Sequence, residues 1–122
     1  MGVRTEGVTR VHESDGLNPV PWDYHENSSS ALTGATVQAA PGAGFQIIIT
    51  EILVSHGAAV AMNVLLSAGG STIWGPHYLE DIAGRGLFWK GRKPVSENTA
   101  LTITTSAAIA HGIDIQGHIL RT

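Results

Sequence analysis

The sequence predicts an all-β domain, an antiparallel β-sandwich preceded by an extended N-terminal arm. Three observations lead there. Short β-branched or alternating runs recur from residue 31 onward, glycine and proline turn signals separate them, and no stretch sustains a helical period. "LEDIAG" at 79–84 has room for one helical turn and little more.

Residues 1–30 read as the arm and 31–122 as the domain. The arm holds five of the ten acidic residues, Pro19 and Pro21, and the run Ser28–Ser30, without a sustained apolar period. Within "PVPWDYHENSSS", Trp22 and Tyr24 stand out as aromatic anchors in a solvated stretch. Large rigid side chains give contact area at low entropic cost, so the pair is expected to grip a neighbouring protein.

The domain opens with a short strand in "ALTGATVQAA", closed by the turn at 41–44. "FQIIITEILVS" is apolar on both faces and suits a central strand. After Gly57, Val60, Met62, Val64 and Leu66 alternate with Ala61, Asn63 and Ser67. "STIWGPHYL" reads as strand, corner, strand, because Pro76 removes a ladder donor. "GRGLFWKG" is a short aromatic strand, and "KPVSENT" is a loop. Leu101 and Ile103 alternate with Thr102 and Thr104, then Ile113, Ile115, Gly117 and Ile119 with Asp114, Gln116, His118 and Leu120. Residues 100–120 therefore read as a closing hairpin.

The totals limit the chemistry. A chain of 122 residues is enough for one domain, and one of that size buries about two-thirds of its unfolded surface. There is no cysteine, which removes disulfides and thiolate metal sites. A net charge of -3 argues against a general nucleic-acid binder. With only 14% charged residues, part of the surface is expected to face another protein. No run approaches the roughly 18 apolar residues of a membrane span, and the first residues lack a secretory core, so synthesis in a cytoplasm is expected.

Candidate catalytic groups are sparse. His56 and His111 each sit where a strand meets a glycine, and two turns at one end of a sandwich can bring such residues together. No histidine pair has chelating-motif spacing, so no metal and no cofactor are expected, nor any loss of stability in a chelator. Glu80 and Asp81 point to opposite faces if on a strand, while Glu51 and Asp114 are single acids on strands. The serines lack a nucleophile elbow, and "PGAGFQ" lacks the residues that would complete a nucleotide loop. Four of the seven basic residues, Arg85, Lys90, Arg92 and Lys93, lie within nine positions beside Phe88 and Trp89. Such a patch suits docking on an acidic protein surface.

The order of "IIITEILVS", "HGAAVAMNVLLSAGGSTIWG", "GRGLFW" and "ENTALTITTSAAIAHGIDIQGHIL" resembles the small jelly-roll proteins encoded among the structural genes of tailed bacteriophages, including capsid decoration (cement) and head-fibre proteins. The resemblance spans roughly residues 31–120; the arm and the basic "KGRK" depart from it. It implies a jelly-roll sandwich and a homotrimer on the capsid surface of a virion, bound to the major capsid protein, with no cofactor and no enzymatic activity; from the charge and the apolar runs, neither nucleic acid nor a membrane is expected as a partner. Capsid contact is then expected at Trp22, Tyr24, Arg85, Lys90, Arg92 and Lys93, and trimer contact at Thr102, Thr104, Ala107 and Ala108. Removal of residues 1–30 is expected to abolish capsid binding and leave the trimer folded. The alternative is a receptor- or carbohydrate-binding module of a tail fibre or spike, with Trp74, Tyr78 and Trp89 as the available aromatics.

Overall fold

The computed structural model describes residues 19–81 and 84–122. They form eight strands: β1 (Val20–Ser28), β2 (Ala35–Gln38), β3 (Phe45–His56), β4 (Met62–Ala68), β5 (Ser71–Leu79), β6 (Gly86–Pro94), β7 (Leu101–Thr105) and β8 (His111–Arg121). Among the described residues no element is helical. The strands build two four-stranded antiparallel sheets, β1-β8-β3-β6 and β2-β7-β4-β5.

Within these sheets the first strand pairs with the eighth, the second with the seventh, the third with the sixth and the fourth with the fifth. The chain is thus one long antiparallel ribbon, folded back at Gly69–Gly70 and rolled so that β3 meets β8 and β4 meets β7. That winding is the jelly-roll. Every connection except the β4–β5 turn crosses from one sheet to the other.

Alternation places the core. Met62, Val64 and Leu66 of β4, Leu101 and Ile103 of β7, and Ile113 and Ile115 of β8 face inward and are buried. In β3 a register shift between Ile49 and Glu51 changes the inward set from Ile47 and Ile49 to Ile52 and Val54. One residue of slip moves every later side chain to the other face, which is why this strand looks apolar on both sides. Ile48 is also fully buried, but it stands outside the inter-sheet core cluster.

Two glycines are required by close approach. Gly75 has φ +88°, and a Cβ there would stand 2.6 Å from the Val64 carbonyl oxygen. A Cβ at Gly117 would run into the Ile48 carbonyl and the Trp22 ring. Gly75 and Pro76 lie where β5 shifts register against β4, so the expected corner is an irregularity within one continuous strand.

Two expectations are corrected. Residues 20–28 are not an arm: they form the edge strand β1, fully paired with β8 from Val20–Ile119 to Ser28–His111. The sandwich therefore includes residues from Val20 onward, and residues 1–18 of the expected arm lie outside the described residues. Residues 100–120 are not a hairpin either, because β7 and β8 belong to opposite sheets, joined by the crossing at 106–110.

Candidate functional site

The strand order of the first sheet sets its outer residues in cross-strand rows. One row runs Asp23, Gln116, Glu51, Lys90 across β1, β8, β3 and β6. The next runs His25, Asp114, Leu53, Phe88. Between them lies an open groove of about 290 Å³, lined in part by Asp23, Glu51, Leu53, Phe88, Asp114 and Gln116. Phe88 is 58% exposed and Leu53 43%, so an apolar pair lies bare beside polar neighbours.

The polar groups of these rows are partly paired with one another. His25 Nδ1 lies 2.6 Å from Asp114 Oδ1. The bond to Asp114, then its charge, holds the His25 imidazolium above its ordinary range. Gln116 donates its side-chain amide to the Glu51 carboxylate. Sequence spacing alone hides this cluster, because Asp23, Glu51 and Asp114 are far apart in the chain and meet only through the β1-β8-β3 order. The signal was nevertheless present: each is the outward member of an alternating strand.

The anticipated capsid contacts separate into several environments. Trp22 is only 9% exposed and belongs to the core, and Tyr24 is half-buried against it. Burial, and secondarily Glu26, raises the Tyr24 phenol above its usual range. These aromatics fill the space between the sheets, as inward residues of a paired strand must, and Trp22 is not available as an external anchor. Lys90 and Arg92 are exposed on the edge strand β6, while Lys93 is half-buried opposite Ile49. Arg85 precedes β6 and pairs with Glu80 at 3.0 Å, both side chains more than half exposed. Arg92 lies close enough to His118 to add to the burial that lowers that imidazole below its ordinary range.

Of the trimer candidates, Thr102 and Thr104 are half-buried and alternate with the core residues of β7. Thr102 Oγ1 donates to the Ser67 carbonyl at 3.3 Å, and Thr104 Oγ1 accepts from the Gly34 amide at 3.0 Å. Ala107 is half-buried and packs against the core, whereas Ala108 is exposed.

The aromatics named for a glycan site also divide. Trp74 is buried, Trp89 is half-buried against the core, and Tyr78 is 74% exposed. Phe88, named in the sequence only as a neighbour of the basic patch, is exposed as well, although an aromatic strand invites assignment to the core. Among the described residues no group of three or more His, Cys, Asp or Glu is arranged to hold a metal ion. His56 and His111 do meet, as register partners at the end of β3 and the start of β8. In comparisons with known proteins the chain matches no family model and no curated protein.

Proposed function

We propose that this chain is a structural protein of a tailed-phage virion, a homotrimeric decoration protein that binds the outside of the head and stabilises it. The observation that carries the binding role is the bare Leu53–Phe88 pair on the outer face of the first sheet, with the basic edge strand β6 alongside. An apolar centre with a polar and charged rim suits protein docking. Lys90 and Arg92 add complementarity to an acidic shell surface, which favours on-rate and register. The phage setting rests on the resemblance of the strand sequences. Contact among the three copies falls to the outer face of the second sheet, where Thr102 and Thr104 present small side chains. Three equivalent weak contacts hold together through effective concentration.

A second reading, a carbohydrate- or receptor-binding module of a fibre or spike, is favoured by one observation. Phe88 shares its groove with the carboxylates of Asp23 and Glu51 and the amide of Gln116. A ring face beside hydrogen-bonding groups suits a sugar.

Quantitative mass spectrometry of purified particles, referenced to the major capsid protein, tests both. Decoration requires a copy number within a few-fold of the capsid protein. A handful of copies would favour the fibre or spike, and absence from particles would overturn both readings.

A further inference from the structure

Two deeply buried polar side chains are cross-strand neighbours at the end of the sandwich opposite Val20 and Arg121. His56 and His111 are cross-strand partners on the inward face, at 2% and 3% exposure. His56 Nε2 lies 2.7 Å from the Glu80 carbonyl oxygen, and His111 Nδ1 lies 2.9 Å from the Ile109 carbonyl oxygen. A carbonyl only accepts, so those two nitrogens carry the protons. In the neutral rings the opposite nitrogens are lone pairs. These are His56 Nδ1 and His111 Nε2, and both are buried without a hydrogen-bond partner. Neither can satisfy the other, because both are acceptors.

The backbone around the rings is tied down. The His56 amide donates to the Arg85 carbonyl at 3.0 Å, the His56 carbonyl accepts from the Gly84 amide at 2.9 Å, and the Gly57 amide donates to the Ala110 carbonyl at 2.9 Å. Directly opposed residues of an antiparallel pair hold their Cβ atoms about 4.5–5.5 Å apart, so the two rings spring from adjacent positions on the inward face. An imidazole that gives its N–H to a main-chain carbonyl and offers its other nitrogen has the arrangement of a metal-ligating histidine.

The donor set selects the ion. Among the described residues no third His, Cys, Asp or Glu completes a cluster with the pair, so two neutral nitrogens would face the whole ionic charge. The cost of taking an ion out of water grows as the square of its charge, which disfavours a divalent ion here. Alkali cations prefer oxygen donors. A soft d¹⁰ monocation accepts two nitrogen donors in near-linear coordination. We propose that His56 Nδ1 and His111 Nε2 form a two-histidine site for one monovalent cation of the Cu(I) class.

Ag⁺ is a redox-inert probe of such a site. The full-length protein would be titrated with silver nitrate in chloride-free buffer, following the imidazole ¹⁵N resonances and thermal unfolding. The expected result is one ion per chain, with the His56 Nδ1 and His111 Nε2 resonances shifting together. With free Ag⁺ about a hundredfold above its Kd, Tm should rise by on the order of 10 °C. His111→Gln should abolish that rise; should this variant fail to fold, the ¹⁵N shifts of the unaltered protein decide alone. Shifts confined to other histidines, or no shift because a water fills the site, would overturn the proposal. An equal response to Zn²⁺ would overturn the choice of a monovalent ion.

Discussion

At Trp22 one side chain combines a favourable and an unfavourable burial. The indole ring packs in the core, while its Nε1–H is buried with no acceptor. An orphaned donor of this kind costs about 1–3 kcal/mol. Trp22→Phe removes the orphan and keeps most of the ring, so urea unfolding should place it within about 1 kcal/mol of the parent. Trp22→Ala leaves a cavity beside Gly117 and should cost about 3–5 kcal/mol in the same measurement. The His25–Asp114 pair gives a prediction in pH. Because the folded imidazole is held above 6.5, the pair's contribution to stability is complete below the unfolded value and fades as pH rises through the folded one. Asp114→Asn should bring the His25 titration, followed by NMR, back toward 6.5. An unchanged titration would show that the carboxylate is not its cause.

For the strands, legibility followed the side chains. The β-branched run of β3 and the alternation of β4 identified themselves, and the turn glycines between β4 and β5 marked the fold-back. β1 was harder, because Pro19, Pro21 and four acidic, histidine or amide residues resemble a solvated tail. Yet Val20, Trp22 and Tyr24 alternate with Pro21, Asp23 and His25, and an edge strand tolerates a proline because its outer side has no ladder partner. The sheet membership of β7 and β8 was not legible, since strand sequences carry face and length but not which neighbour closes the ladder. The same limit hid the groove of Asp23, Glu51 and Asp114. Removing residues 1–30 deletes β1 and Trp22 and should therefore abolish the cooperative melt, rather than leave a folded trimer. A folded protein lacking residues 1–30 would refute the assignment of β1 to the sandwich.

Over the whole molecule, the rolled ribbon makes nearly every ladder depend on residues distant in sequence, with β1–β8 joining the two ends of the described chain. Such topologies fold slowly, because the loop-closure entropy precedes the reward of pairing. Stopped-flow refolding should therefore run on the order of milliseconds to seconds; a microsecond phase carrying the full amplitude would contradict it. The ribbon also gives the molecule two unlike poles. Val20 lies opposite Ile119 and Phe45 opposite Arg121, so β1 begins and β8 ends at one pole, while the crossings at 57–61 and 106–110 and the paired histidines occupy the other. Segments joined directly at Pro19 and at Thr122 would leave from neighbouring strands, whose axes lie about 4.8 Å apart. With residues 1–18 removed, a short peptide joining Thr122 to Pro19 would close the eight-strand ribbon into a ring, and new termini opened at the far pole would display cargo from there instead.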